Sequence, residues 1–444
     1  MHERIRLGIT PVASPLEVGT DEAAALKSRL REGFAGLYRL EAFSPAEPVT
    51  DPTSAMQAGR QFYDRRVDAI CVVAASWFED YLVLDMLEEC GVPVIVWARP
   101  GMETGSLCGT QQLAFVLRQL GQPHCPIYDP VDSADALDRA SDYALSAALC
   151  HSLRRARMGY LGHRVEGMTE TTVHELALKK TFGPRVVGLD SNVFLEKAGQ
   201  VDPESVVAMW RDLKTRVGQV AATDEAGIRS LQVYTALKNA IEDAGLSAVA
   251  VGCYPHLMGQ VCLAASLLGE EGIPIACEGD INGALGMLIL TGLTGQPVHN
   301  TDLLDPIPSE NAIVFTHCGS GGFSLACSPS QVTLGPVRLM DRGLCCLFPA
   351  RPGPVTLLNV VPTMGGYRLG TLYGRAVETD MVFPGNPLRV QFETPYRDIL
   401  DWIVREGLGH HWMAAYGDLQ RPIHDLATLV GCEHVSVTGK PSMS

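Results

Sequence analysis

The sequence has no long hydrophobic run. Its longest apolar candidate, Ala284 to Leu290, is core-sized and far short of the ~20 residues that span a bilayer. No apolar leader follows Met1-His2-Glu3-Arg4. Both absences predict a cytoplasmic protein with no membrane partner. Positive charge is also scarce: 35 Lys and Arg stand against 50 Asp and Glu, a formal net charge of −15. Phosphate backbones need basic surface, so a nucleic-acid partner is excluded. A small anionic substrate is not, because a pocket can be locally positive. No Cys-x-x-Cys motif occurs among the 13 cysteines, and Cys71, Cys277, Cys345 and Cys346 sit inside apolar runs. Structural thiols of a reducing compartment fit better than a disulfide framework. Internal repeats, long low-complexity stretches and coiled-coil heptads are absent as well.

What is present is ample core material. Hydrophobic residues make up 46% of 444 residues, unlike a disordered chain. At ~150 residues per domain, that length suggests two to three domains. The pattern of elements divides it at 1–150, 151–310 and 311–444. In the first part, strands over Ile5–Thr10, Ala69–Ala75 and Val92–Ala98 alternate with helical segments such as Asp21–Phe34 and Gln111–Leu120. Such alternation argues for a doubly wound α/β domain with a parallel sheet. A helix over Ser133–Ala156 leads into a second α/β unit. There, strands Met158–Gly162 and Arg185–Leu189 accompany helices Glu170–Phe182, Asn192–Ala198, Pro203–Val220 and Asp224–Ala244. From about Asn311 short β-rich runs take over, punctuated by Gly and Pro, which is a barrel or sandwich signature. The fold class is therefore α/β: two N-terminal parallel-sheet domains and a β-rich, barrel-like C-terminal domain.

The chemistry concentrates between Ala248 and Asp280. The run Ala248-Val249-Ala250-Val251 ends at Cys253-Tyr254-Pro255-His256, a helix-length segment (Leu257 to Glu271) follows, and Ile273 to Cys277 ends at Glu278-Gly279-Asp280. A strand–helix–strand crossover makes the strands parallel. His256, Glu278 and Asp280 then share the carboxyl edge, where ligands bind in open α/β sheets. An imidazole and two carboxylates there suggest a divalent metal. If strand geometry persists, Glu278 and Asp280 project from one face, and a cation between them relieves their repulsion. The alternative is that Glu278 caps the next helix and Asp280 supports its N-terminus. His410 and His411 are adjacent, so on an extended chain one of them faces the site. His317 ends a strand before Gly319-Ser320-Gly321-Gly322, which reads as a permissive loop. His299, after Pro297, reads as a loop residue and not a ligand. Trp77, just past a strand, can stack on the apolar face of a sugar or anchor an interface or core edge.

Cys277-Glu278-Gly279-Asp280-Ile281-Asn282-Gly283-Ala284-Leu285, with Leu293-Thr294-Gly295-Gln296-Pro297, resembles the L-fucose isomerase and L-arabinose isomerase superfamily, and especially its shorter fucose isomerase-like members. Thr316-His317-Cys318-Gly319 and Gly409 to Asp418 are similar to later motifs of that family. The resemblance runs in order along most of the chain. It implies a metal-dependent aldose–ketose isomerase working through an enediolate on a small open-chain sugar, with Mn²⁺ the foremost metal. It also implies a homo-oligomer, a trimer or hexamer. Carried over position by position, metal ligation falls on Asp280, Glu278, His411 and His256, and proton transfer on Glu278 and His256. Substrate contacts fall on Trp77, His317 and His410. One departure stands out: where the family carries a glutamate, this chain has His256. An imidazole can ligate metal and act as a base, but it brings no negative charge. The departure opens the alternatives of a non-catalytic carbohydrate-binding or regulatory relative, or of an epimerase or lyase using the same site.

Overall fold

A computed structural model of the chain describes residues 4–37 and 39–437. These fall into two compact units. The first comprises the described residues of 1–152 together with 421–430, the second 153–420 together with the described residues of 431–444. The fold is α/β, with parallel sheets in the N-terminal part and a β-rich C-terminal region.

The first unit holds β1 (Ile5–Val12), α1 (Ala23–Phe34), β2 (Leu40–Phe43), α2 (Pro52–Arg65), β3 (Ala69–Ala74), α3 (Tyr81–Glu89), β4 (Val94–Ala98), α4 (Ser106–Gln119) and β5 (His124–Tyr128). α5 (Ala134–Arg155) follows. All five strands are parallel, in the order β2-β1-β3-β4-β5. Strand β3 shows why helices cover both faces. Cys71 and Val73 belong to a cluster with Leu26, Leu30 and Phe34 of α1, whereas Ile70 and Val72 pack with Phe62 of α2 and Met86 of α3. Successive side chains on a strand point to opposite faces, so an unbroken apolar run needs a cover on each.

The second unit starts with β6 (Arg157–Leu161), α6 (Glu175–Thr181), β7 (Arg185–Leu189), α7 (Ser191–Gln200) and α8 (Pro203–Thr215). Next come β8 (Gln219–Val220), α9 (Asp224–Ala244), β9 (Ala248–Val251), α10 (Cys262–Glu270), β10 (Ile275–Ala276) and α11 (Ile281–Thr294). The expected crossover is present: β9 and β10 are parallel, in a sheet of order β10-β9-β6-β7. Its helix is shorter than expected, because turns occupy 254–261 before α10 begins. The helix expected over Pro203–Val220 stops at Thr215, and Gln219–Val220 instead form a strand. Gly218 allows that: a methyl group there would lie 1.9 Å from the Ser330 carbonyl oxygen.

The β-rich region holds β11 (His299–Ile307), β12 (Ala312–Thr316), β13 (Thr333–Val337), β14 (Arg342–Leu347), β15 (Gly353–Thr363), β16 (Gly366–Val377) and β17 (Leu388–Gln391). It continues with α12 (Tyr396–Glu406), β18 (His411–Tyr416), α13 (Gln420–Val430) and β19 (Glu433–Ser436). Strands β15, β18, β11, β12, β17 and β16 pair in a ring that closes through β15–β16, and β19 adds to β16. Strands β13 and β14 stand apart, in a small sheet with β8. Helix α11 is buried from Ile281 to Leu293. It packs against β9 and β10 of the parallel sheet and against β15 and β18 of the ring. Its N-terminus therefore lies where the sheet's carboxyl edge meets the ring. No described helix is long and apolar enough to cross a membrane, and all 13 cysteines are free thiols.

Candidate active site

Strand geometry does not persist through the Glu-Gly-Asp motif. β10 ends at Ala276, and Glu278 (φ 62°) and Gly279 (φ 70°) both adopt the left-handed conformation. For glutamate that costs ~1–2 kcal/mol, so the surroundings must hold it. The Glu278 N–H meets the Cys253 sulfur at 3.4 Å, and the Val165 N–H donates to the Glu278 carbonyl at 3.3 Å. The Gly279 N–H donates to Val251 O at 2.9 Å. Strain of this kind concentrates at functional sites. The turn separates the two carboxylates. Asp280 becomes the N-cap of α11, its Oδ1 accepting from the Asn282 N–H at 2.9 Å.

His411 opens β18 and reaches both carboxylates. Its Nδ1 lies 2.8 Å from Asp280 Oδ2, and its Nε2 lies 3.2 Å from Glu278 Oε2. Register brings in a third acid, because Asp302 of β11 pairs directly with His411. Asp302 Oδ1 is 3.5 Å from His411 Nε2 and 3.9 Å from His317 Nε2. His317, just past β12, is 3% exposed, and its Nε2 is also 3.9 Å from Glu278 Oε1. Asn359 of β15 locks the approach to β18. Its Nδ2 donates to Gly409 O and His411 O, and its Oδ1 accepts from the Gly409 N–H.

The electrostatics follow from this crowding. Burial alone would lower His411, but hydrogen bonds to Asp280 and Glu278 outweigh it and raise its pKa to about 9. Burial likewise opposes a proton on His317, yet Asp302, then the adjacent Cys318, then Glu278 push its pKa well above the usual histidine value. Burial would raise Glu278, and its hydrogen bond with His411 brings it below the usual carboxylate range.

Donor atoms of Asp302, His317 and His411 all lie within 4.8 Å of one another, as do those of Glu278, His410 and His411. Asp302 Oδ1 and both nitrogens of His317 are buried with no hydrogen-bond partner among the described residues. Buried polar atoms are otherwise nearly always paired. Carboxylates and imidazoles converging around unsatisfied atoms fit a divalent cation of the Mn²⁺ or Mg²⁺ type. Asp280 occupies a different place: bonded to Nδ1, it orients His411 so that Nε2 faces the cluster, the arrangement by which a carboxylate supports a histidine that could hold a metal.

The residues expected at the site divide as follows. Glu278, Asp280, His317, His410 and His411 come together. Both His410 and His411 reach the cluster, with ring centroids 4.2 Å apart, because His410 precedes β18 and is not part of its extended run. His410 Nδ1 is 2.7 Å from Glu170 Oε1. The His256 side chain is exposed and belongs to neither donor group among the described residues. Trp77 lies in the first unit, half-buried, its indole N–H donating to Gln112 Oε1 at 3.2 Å. Asp302, Asn359 and Glu170 were not legible as site residues. For Asp302 the signal was faint: a polar run, His299 to Asp302, with a loop-like proline before it.

No protein-family model matches the chain. Among curated proteins it is 26% identical over 405 residues to a sulfoquinovose isomerase of Alkalicoccus urumqiensis, covering 89% of this chain and 91% of that one. It is 26% identical over 380 residues to the sulfoquinovose isomerase of Priestia megaterium, covering 83% and 85%. An L-arabinose isomerase of Levilactobacillus brevis is 23% identical over 344 residues, covering 73% and 72%. Over most of its length, then, the chain is similar to sugar isomerases, of the same broad superfamily that its motifs resemble.

Proposed function

We propose that the chain is a metal-dependent aldose–ketose isomerase acting on an open-chain hexose, with sulfoquinovose the foremost substrate. The carrying observation is a pair of donor groups that share His411, one with Asp302 and His317 and the other with Glu278 and His410, in which Asp302 Oδ1 and both His317 nitrogens are buried without a hydrogen-bond partner among the described residues. The similarity to sulfoquinovose isomerases over most of both chains supports the same reading.

In this reading Glu278, Asp302, His317 and Nε2 of His411 hold the divalent metal, with Mn²⁺ preferred. Bound there, the metal supplies Lewis-acid stabilisation of negative charge on the sugar oxygens. The rest falls to the protein. Asp280 keeps the His411 imidazole in one orientation. Glu278, at the cluster's rim with its side chain 19% exposed, is the proton carrier between adjacent sugar carbons. Its carboxylate oxygens lie 3.2 Å from His411 Nε2 and 3.9 Å from His317 Nε2. Transfer of a proton from C2 to C1, with the O2 hydroxyl proton passing to O1, interconverts aldose and ketose through an enediolate.

The test is turnover of sulfoquinovose by purified protein with added Mn²⁺, followed by NMR in D₂O. Isomerisation exchanges the C2 proton and yields a ketose, whereas epimerisation or carbon–carbon cleavage yields other products. Asp302→Ala should lose bound metal, read by elemental analysis, together with at least 100-fold in kcat. A wild-type protein that holds no divalent metal and turns over no aldose would overturn the reading.

A further inference from the structure

The carboxylate-rich cluster is poorly suited to an anionic sugar unless something nearby offsets its charge. Glu278, Asp280 and Asp302 meet there, and the chain as a whole carries −15. Two arginines stand at the same edge of the second unit. Arg342 spends its guanidinium on backbone: Nε donates to Met258 O, and Nη2 to Pro255 O and His256 O. It ties down the 255–258 turns. Arg164 differs. Among the described residues only its Nη1 is engaged, donating to the neighbouring Val165 O at 3.1 Å. No described carboxylate lies within ion-pair distance of it, so Nε and Nη2 keep their donors.

The loop that carries Arg164 is built rigidly against the Glu278 turn. The Tyr160 hydroxyl accepts from the Arg164 N–H at 2.7 Å, and His163 Nδ1 lies 2.8 Å from the Arg164 carbonyl. The next residue, Val165, donates to the Glu278 carbonyl. The contact is close: a methyl on Gly279 would fall 2.7 Å from the Arg164 Cα. The backbone of an unpaired arginine is thus fastened on both sides, beside the residue assigned to proton transfer. A guanidinium fork matches the three acceptor oxygens of a tetrahedral anion better than an ammonium does. Fixing the backbone in advance lowers the ordering cost of using it.

We infer that Arg164 is the specificity residue that binds an anionic tetrahedral substituent, a sulfonate, carried on the sugar away from its carbonyl end. The inference rests on the isomerase reading above. Arg164 touches the substituent and not the reacting carbons, so it governs which sugar enters.

The experiment compares binding, independently of turnover. Calorimetric titrations of the Mn²⁺-loaded protein use sulfoquinovose, glucose 6-phosphate and 6-deoxyglucose. The wild type should bind sulfoquinovose more tightly than 6-deoxyglucose. Arg164→Gln should lower that affinity ratio by about 10- to 100-fold, the worth of a charge-assisted hydrogen bond or two. Arg164→Lys, which keeps charge but loses the fork, should fall between. Weaker binding of glucose 6-phosphate assigns the site to sulfonate, whereas equal or tighter binding overturns that assignment in favour of phosphate. An unchanged ratio in Arg164→Gln, or no preference for the charged sugar in the wild type, overturns the inference. Sulfoquinovose binding that depends on Arg164 without any turnover would leave Arg164 standing and sink the isomerase reading alone.

Discussion

His411 Nδ1 meets Asp280 while Nε2 faces Glu278 and Asp302, so one imidazole joins the helix-capping carboxylate to the two carboxylates of the cluster. His299 shows the opposite treatment of the same side chain. It is 1% exposed on β11, packs against the Tyr416 ring, and neither ring nitrogen has a hydrogen-bond partner among the described residues. Burial first, and Arg351 second, push its pKa down to about 3. The folded state therefore refuses a proton that the unfolded chain accepts near pH 6.5. Stability falls as pH drops from about 6.5 toward 3, by up to ~1.4 kcal/mol per pH unit, and is unaffected by this group above 6.5. Denaturant midpoints at pH 8 and pH 5 should drop less in His299→Gln than in wild type. An identical drop in both would show that His299 does not set the acid limb. Residues of this kind mark the limit of what sequence reasoning reached. Glu278 and His411 were legible because they sit in motifs that combine glycine with ionisable groups. Asp302 and His299 were not, because polar residues fill the start of β11 and conceal its alternation. Their inward direction comes from pairing with β18, more than a hundred residues later in the chain.

At the scale of elements, α11 decides whether the site can form. Asp280 caps it, Gly283 and Gly286 face Met413 of β18, and the whole helix is buried. A methyl at Gly283 would lie 2.6 Å from Asp280 Oδ2 and 2.8 Å from Met413 Cε. At Gly286 the nearest atom is Met413 Cγ at 3.1 Å. Helix propensity alone favours alanine over glycine by ~1 kcal/mol. The contacts reverse that sign at position 283, because the Asp280 carboxylate is held by the cap and by His411 and cannot retreat. Gly283→Ala should lower the melting temperature and weaken Mn²⁺ affinity, whereas Gly286→Ala should affect both less, since the methionine can shift. A more stable Gly283→Ala with unaltered metal affinity would contradict the tight seat of Asp280. The helix itself was legible, since its expected span, Asn282–Leu293, nearly coincides with Ile281–Thr294. So was the β9–β10 crossover. The glutamate turn before the helix was not, because a left-handed non-glycine residue leaves no mark in an apolar-polar pattern. The short β8 was hidden for another reason: two residues make a strand only when β13 offers its edge.

At the scale of the whole molecule, the chain does not finish one unit before beginning the next. Residues 421–430 belong with 1–152, although 153–420 lie between them in sequence. Nothing in composition announces that return, which explains why boundaries read along the sequence as consecutive blocks miss it. What holds the segment is specific. Arg139 of α5 grips Asp425 of α13 with two hydrogen bonds, 2.5 and 2.9 Å, and the Ser146 hydroxyl donates to Pro422 O at 2.9 Å. Asp425 has a side chain only 6% exposed, while that of Arg139 is 27% exposed. Removing one partner of such a pair strands the other charge in a poorly solvated place, which costs about 3–5 kcal/mol. Asp425→Asn should therefore destabilise the first unit by that order. The double variant Arg139→Leu/Asp425→Leu, with no charge left unpaired, should recover a large part of the loss, giving a coupling well above 1 kcal/mol. Chemical denaturation of the full-length protein reads both. Additive effects of the two changes, or a neutral Asp425→Asn, would mean that α13 is not fastened to α5 through this pair.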